Sequence, residues 1–232
     1  MSNDIAFITL TNSGYIKYTE NCLKSLEKIG CNIVLSCYCI GKRGYEELNN
    51  KGYRCLLIDE EENSNFQIFR QGNWSNIVFN KFKIIHENLL KYKYVCITDG
   101  DIVFENPCFL QYLIENIETN DFLIQKEYID DANFVLCSGF MFIRANFNTL
   151  NFFNPKYIEH MKNTVGWGDQ TYINNHKHKL NYKILPIELF PNGKYYYENF
   201  ERIQPYLIHF NWVVGDEKKE KMRKHRKWNL DV

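Results

Sequence analysis

The chain has 232 residues, a length that suits one large α/β domain better than two independent ones. Hydrophobic residues make up 45% of it and aromatic residues 16%, which is enough apolar material for a continuous core and excludes the disordered class. Lysine plus arginine equals aspartate plus glutamate, at 28 each, so charge gives no argument for a nucleic-acid partner.

The eight cysteines contain no CxxC pair and lack the dense spacing of a disulfide scaffold, so we expect free thiols in a reducing compartment. The first residues show no signal-peptide pattern, and no run of about 18 apolar residues predicts a membrane span. These features predict a cytoplasmic protein. The content of asparagine, lysine and isoleucine is typical of an AT-rich genome and suggests a microbial or viral origin.

Strand and helix patterns alternate through the first hundred residues. Residues 4–11 form an apolar run rich in strand formers, and apolar positions at helical spacing then lead to Gly30, which ends the first predicted helix. The next predicted elements are strands at 32–39 and 53–58 around a helix at 45–50. This alternation is typical of a mostly parallel central sheet flanked by helices in an α/β fold.

A polar stretch at 60–76 is predicted to be a loop, and the residues after it continue the same alternation. The predicted elements are helices at 77–90, 108–117, 147–161 and 169–175, strands at 92–98, 122–125, 135–143 and 182–185, and a basic helix-competent tail at 216–228. No segment has the composition of a linker, so residues 1–232 are expected to form a single domain.

The motif Asp99-Gly100-Asp101 follows the apolar strand predicted at 92–98. Two carboxylates this close repel each other, and a hard divalent cation such as Mn²⁺ or Mg²⁺ would remove that repulsion. Ligands of open α/β sheets also bind at the carboxyl ends of strands. A simple Asp-Gly turn is the alternative, but Asn106-Pro107 soon opens a helix rather than a second hairpin strand.

The motif and five other segments resemble, in the same order, the nucleotide-diphospho-sugar transferases of the GT-A fold. The resemblance is strongest to glycosyltransferase family 77 and more distant to the retaining enzymes of family 8. The other segments are 7–15, 137–144, 167–174, 189–193 and 209–215. The resemblance implies a Rossmann-like GT-A domain with a nucleotide-binding half, 1–105, and a sugar- and acceptor-binding half, 106–232, that ends in the basic tail.

The resemblance implies a metal site made of Asp101, Asp99 and His209, in which Asp99 contacts either the metal or the ribose. His209 also follows an apolar segment, and imidazole is a good ligand for Mn²⁺. The alternative for His209 is a buried histidine bonded to a backbone carbonyl.

The resemblance also implies a set of donor-binding residues: Thr9, Thr11, Asn12, Lys81, Asp99, Ser138, Gly139 and Lys218. The first three would hold the base and ribose, although they can equally cap the helix that starts near Tyr15. Lys218 lies in the basic tail, which would neutralise the leaving diphosphate or form a solvated helix end.

Asp169 and Gln170 are the residues that the resemblance places nearest the anomeric carbon. In a retaining enzyme they would stabilise an oxocarbenium ion, and in an inverting enzyme Asp169 would act as general base. The alternative for Asp169 is an N-cap of the following helix.

The sequence therefore predicts a metal-dependent glycosyltransferase that moves a sugar from a nucleotide-sugar, expected to be a UDP-sugar, to a hydroxyl group of a glycan or another acceptor. The retaining outcome is favoured. One alternative is a nucleotide-sugar-binding module without activity, although the candidate site residues are intact. The other is a haloacid-dehalogenase-like phosphatase, which would need Thr or Ser after the motif, where this chain has Ile102-Val103.

Overall fold

A computed structural model describes residues 4–59, 74–127, 135–161 and 167–231. Its strands are β1 (Ile5–Asn12), β2 (Leu35–Ile40), β3 (Cys55–Asp59), β4 (Tyr94–Thr98), β5 (Ile102–Phe104), β6 (Phe122–Lys126), β7 (Leu136–Arg144), β8 (Tyr182–Ile184) and β9 (Leu207–His209). Seven of them form one sheet in the order β3-β2-β1-β4-β7-β6-β8. Only β7 runs antiparallel to its neighbours in this sheet, so the predicted mostly parallel sheet is confirmed.

Helices cover both faces of this sheet. The α-helices of the described residues are α1 (Ile16–Lys28), α2 (Lys42–Asn49), α3 (Trp74–Leu89), α4 (Phe109–Ile117), α5 (Phe147–Phe152), α6 (Pro155–Ile158), α7 (Asp169–His176), α8 (Gly193–Asn199) and α9 (Gly215–Lys224). Successive residues of β4 point to opposite faces, as a strand requires. Cys96 packs in a core with α1 and α4, whereas Val95 and Ile97 pack in a core with α3 and α7.

A short antiparallel ribbon stands beside the main sheet. It consists of β5 and β9, in which Ile102 pairs with His209 and Phe104 pairs with Leu207. Because β5 starts directly after Asp101, this pairing brings a residue from near the end of the chain against the acidic motif. The sequence analysis predicted the apolar character of residues 205–208 but not the partner strand.

Several predicted boundaries change in the structure. The helix expected at 147–161 is broken, because Pro155 has no backbone N–H to continue α5 and Asn154 instead caps a new short helix. The loop expected at 60–76 lies largely outside the described residues. The helix α3 begins at Trp74, before the predicted end of that loop. The helix stop at Gly30 is confirmed, since α1 ends at Lys28 and Gly30 adopts a left-handed conformation with φ +66°.

All eight cysteines are free thiols, five of them buried, as the sequence analysis expected. Among the described residues, no helix combines the length and the apolar character that crossing a membrane requires.

Candidate active site

A cavity of about 600 Å³ opens at the carboxyl ends of β1 and β4. These strands are parallel neighbours, and β1 continues past the end of β4, so Thr11 and Asn12 come to lie beside the acidic motif. The cavity is lined by residues from several distant parts of the chain: Thr11, Asn12, Tyr15, Lys81, Asp99, Asp101, Glu127, Cys137, Ser138, Gly139, Asp169, Gln170, His209, Asn211, Trp212 and Lys218. Its volume and its mixture of charged and apolar walls suit a small-molecule ligand.

Asp99, Asp101 and His209 converge on the floor of this cavity, with ligand atoms that all lie within 4.8 Å of one another. The Nε2 atom of His209 is 3.2 Å from Asp101 Oδ1 and 3.8 Å from Asp99 Oδ2. Asp101 and His209 are buried, whereas the Asp99 side chain is 32% exposed and faces the cavity.

The donor atoms of these three residues fit a divalent cation. Asp101 Oδ1 is buried and makes no hydrogen bond within the described part of the chain, although an imidazole nitrogen lies close to it. Carboxylate oxygens with one imidazole suit Mn²⁺, and carboxylates alone suit Mg²⁺. Asp99, Asp101 and His209 would hold the ion.

Lys218 and Tyr15 complete a group that we call the Lys218 cluster, together with Asp101 and His209. Lys218 donates to Asp101 Oδ2 and, over 2.6 Å, to the hydroxyl of Tyr15. Burial alone would raise the pKa of Asp101, but the positive charges of Lys218 and His209 outweigh it and hold that pKa well below its usual range. Burial alone would lower the pKa of His209, but the negative charge of Asp101 outweighs burial and raises the pKa of the imidazole.

A second group, the Lys81 cluster, consists of Lys81, Asp99 and Asp169. The buried Lys81 Nζ lies 2.7 Å from Asp99 Oδ1 and 2.6 Å from Asp169 Oδ2, so one ammonium joins α3, the acidic motif and the start of α7. Burial would lower the pKa of Lys81, but the charges of Asp169 and Asp99 outweigh it and raise the pKa. Lys81 therefore stays charged, and Asp169 is held in an ion pair.

Two glycines allow the close packing around the motif. A Cβ atom at Gly139 would collide with the imidazole ring of His209, and one at Gly100 would collide with the hydroxyl of Thr19. The carbonyl of Gly139 also accepts a 2.7 Å hydrogen bond from the backbone N–H of Asp99. Glycine at 139 is thus required for the ring and the motif to occupy the same space.

A model of the family described as "Nucleotide-diphospho-sugar transferase" matches residues 41–222. The chain belongs to this family. The recognised resemblance to GT-A nucleotide-sugar transferases is confirmed, and the comparisons support a glycosyltransferase. Family membership argues against the alternative of a haloacid-dehalogenase-like phosphatase.

The transferase is similar to a UDP-galactose:fucoside alpha-3-galactosyltransferase of Dictyostelium discoideum, with 24% identity over 279 residues. That alignment covers 97% of this chain but 43% of the relative, so the chain spans less than half of that protein.

Among solved structures, the transferase resembles the glycosyltransferase GlyE of Streptococcus pneumoniae, with a TM-score of 0.65, 15% identity, and coverage of 97% of this chain and 60% of that one. It also resembles the galactosyltransferase LgtC, solved with donor and acceptor sugar analogues, with a TM-score of 0.63, 10% identity, and coverage of 96% and 95%. These likenesses establish the shared fold.

Nearly all of the predicted site residues of the transferase line one cavity. The exception is Thr9, which is fully buried within β1 and is not among the lining residues. Asp169 is the first residue of α7 and its side chain pairs with Lys81, so Gly168, not Asp169, occupies the N-cap position. Lys218 is buried and is not a solvated helix end. The N-cap of α1 is Tyr15, without a capping side chain.

The sequence analysis assigned no site role to five residues around the cavity of the transferase: Tyr15, Gln125, Glu127, Asn211 and Trp212. The side-chain amide of Asn211 donates to Glu127 Oε2 over 3.2 Å, and burial raises the pKa of Glu127. Trp212 is 46% exposed and adopts φ +67°, an unusual conformation for a non-glycine residue. A signal was present for the last two, because they lie directly after His209 in a segment that resembles the family.

Proposed function

We propose that the protein transfers a sugar from a UDP-sugar to a hydroxyl group of a glycan, with a divalent metal ion and with retention at the anomeric carbon. The observation that carries the proposal is the convergence of Asp99, Asp101 and His209 in a cavity that also contains two buried lysines. The relative from Dictyostelium is named for UDP-galactose and a fucoside, so these are the first donor and acceptor to test.

The bound metal ion, held by Asp99, Asp101 and His209, would act as a Lewis acid on the diphosphate. Thr11 and Asn12 line the cavity at the end of β1, where the nucleoside would lie. Lys218 would turn from Asp101 to the diphosphate and stabilise the negative charge that develops on it. Before Lys218 turns, Asp101 is charged, because Lys218 and His209 hold its pKa well below its usual range.

The Lys81 cluster supports the retaining outcome. An inverting transfer needs a carboxylate that accepts the proton of the acceptor hydroxyl, and Asp169 is occupied by the ammonium of Lys81. In the retaining step, the bond from the anomeric carbon to the phosphate oxygen breaks and its electron pair leaves with UDP. The acceptor oxygen then bonds to the same face, and its proton passes to the departing phosphate. Asp169 and Gln170 would stabilise the positive charge of the sugar during this step.

The acceptor would enter past Glu127, Asn211 and Trp212. The first two residues offer polar atoms for sugar hydroxyl groups, and the exposed indole of Trp212 offers an apolar face for a sugar ring. Exchange of Trp212 for Ala is therefore expected to raise the KM of the acceptor more than the KM of the donor.

The proposal is tested by incubating the protein with a panel of UDP-sugars and Mn²⁺ and measuring released UDP with and without a chelator. Asp101→Asn is expected to reduce the metal-dependent release to the chelated background. Asp121→Asn is the matched control, because Asp121 is equally buried but binds Asn146 and the backbone of Asn181 outside the cavity. Metal-dependent turnover that survives in Asp101→Asn would refute the assignment.

A further inference from the structure

Gln125 is a fully buried amide directly beneath the metal-binding histidine. It lies at an irregularity in the pairing of β6 with β7, where the register shifts between Ile124 and Gln125. The extra residues lie in β7, which advances from Met141 to Cys137 while β6 advances by one residue. The Gln125 side chain contacts the backbone of Phe190 and Pro191 and the imidazole of His209 in the β5–β9 ribbon.

The orientation of the Gln125 amide is fixed by its own hydrogen bonds. Its nitrogen donates to two backbone carbonyls, those of Phe190 at 3.0 Å and Pro191 at 2.9 Å. Both N–H groups are then used, and the amide oxygen faces Nδ1 of His209 at 3.0 Å. A reversed amide would set its nitrogen toward Nδ1 and its oxygen toward two carbonyl oxygens, which cannot donate to it.

This oxygen decides which nitrogen of His209 carries the proton. An amide oxygen only accepts, so Nδ1 must be the N–H donor, and in the neutral ring Nε2 is left with its lone pair. That lone pair points to where Asp101 Oδ1 and Asp99 Oδ2 lie, 3.2 Å and 3.8 Å away. When the ring is neutral, as metal binding requires, three acceptors would face one another across the position that a cation would fill.

The surroundings of Nδ1 provide no equivalent acceptor among the described residues. Cys137 Sγ lies 3.5 Å from Nδ1, and thiol sulfur is only a weak hydrogen-bond acceptor. Pro191 adds a second restraint, since its carbonyl accepts both from Gln125 and, over 3.1 Å, from the backbone N–H of His209. The carbonyl of Pro191 thus holds both the Gln125 side chain and the backbone of His209.

We propose that Gln125 is a positioning residue that holds His209 with Nδ1 as the donor and so presents Nε2 to the metal. The inference rests on the proposed metal-dependent function. Outer hydrogen bonds of this kind typically change metal affinity by about 10–100-fold. A neutral amide can do this without adding charge to a site that already contains Asp99, Asp101 and Asp169.

The test measures binding of Mn²⁺ without nucleotide, from the electron paramagnetic resonance signal of free Mn²⁺. Gln125→Met is expected to weaken binding by about 10-fold or more. Gln125→Glu keeps an acceptor opposite Nδ1 but loses both donors to the backbone carbonyls, so it should bind Mn²⁺ within about threefold of the wild type, even if it unfolds at a lower temperature. Asn88→Leu removes another buried amide with two hydrogen bonds, far from the cavity, and should leave Mn²⁺ binding unchanged.

A second measurement separates orientation from packing. In a His209→Ala background, the change Gln125→Met should no longer alter Mn²⁺ affinity, because the ring on which it acts is gone. Undiminished affinity in a folded Gln125→Met protein, equal losses in the Met and Glu variants, or additive effects with His209→Ala would each overturn the inference. If the wild type binds no Mn²⁺ at all, the proposed metal-dependent function fails instead.

Discussion

The Lys218 cluster and the Lys81 cluster meet at the two aspartates of one motif, yet they balance charge differently. In the Lys81 cluster, one ammonium lies between Asp99 and Asp169, and three elements of the fold are tied together by it. In the Lys218 cluster, Asp101 has two basic partners, and one of them comes from a helix near the end of the chain. In the first arrangement Lys81 pairs with two carboxylates. In the second, we propose that the ammonium of Lys218 moves from Asp101 to the diphosphate of the substrate.

The largest effect is expected for Asp169→Asn, which should lower kcat without weakening Mn²⁺ binding. Asp169→Asn removes a charge from the Lys81 cluster but leaves Asp99, Asp101 and His209 in place. We expect kcat to fall by about 10²–10³-fold, because a group beside the developing positive charge is lost. Mn²⁺ affinity should stay within a few-fold of the wild type. A parallel loss of Mn²⁺ binding would show that the two clusters do not act separately.

Lys218→Met is expected to have effects of opposite sign on two ligands. The ammonium no longer competes for Asp101 Oδ2, so Mn²⁺ should bind more tightly in the absence of nucleotide. UDP should bind more weakly and kcat should fall by about 10²-fold, since the leaving diphosphate loses a cation. Isothermal titration with each ligand measures both changes. Weaker Mn²⁺ binding would contradict the idea that the Lys218 ammonium and Mn²⁺ compete for Asp101.

The same variant should lose stability without metal. Breaking a buried ion pair costs about 3–5 kcal/mol when one charge is left behind, and Asp101 retains only His209 as a basic partner. Added Mn²⁺ should restore much of the melting temperature, because it binds the folded state. Lys17→Met, which removes the exposed lysine that pairs with Glu20 and Glu47, is the control and should change stability by less than about 1 kcal/mol.

The Lys218 cluster depends on how the end of the chain is attached. Asn21, buried on α1, donates to the carbonyl of Lys227 over 3.0 Å and accepts from the backbone N–H of Asn229 over 2.6 Å. Asn21→Leu leaves both backbone groups unpaired and should lower stability by about 1–3 kcal/mol. Donor KM should rise a few-fold while Mn²⁺ affinity is retained. An unchanged donor KM would indicate that α9 is held without this anchor.

The smallest effect is expected from protonation of His225, at the carboxyl end of α9. Burial, followed by the charges of Lys224, Lys221 and Lys227, lowers the pKa of His225, whose ring packs against Tyr196, Tyr197 and Phe200. As pH falls through about 6.5, the unfolded chain takes up this proton before the folded protein does, so stability decreases. Urea unfolding between pH 8 and 5 should show that His225→Phe is less sensitive to acid than the wild type. Equal sensitivity would exclude His225 as the source.

Much of the fold was predictable because its signals are local. The apolar runs of β1 and β4, the helical spacing of α1 and the stop at Gly30 all depend on neighbouring residues. The three-residue strand β5 was not predictable, since it exists only through its pairing with β9. The break at Pro155 was predictable in principle, because proline inside a helical pattern ends the helix.

The candidate site divides in the same way. The acidic motif and His209 stood out by residue type and order, and the resemblance to a family connected them. The sequence shows Gln125 only as an ordinary polar residue at the end of a strand, because the fold brings it to His209 across a separation of 84 positions in the chain. Tyr15 was hidden for the same reason, since its partner Lys218 lies 203 residues away.

Because β5 pairs with β9, the site can form only late in the synthesis of the chain. The acidic motif leaves the ribosome early, but its imidazole ligand and its lysine follow about a hundred residues later, and contacts of such long range form slowly. A nascent chain that ends before β9 would have two adjacent carboxylates and none of the basic groups of the Lys218 cluster. Activity is therefore expected to begin only when translation has passed Lys218.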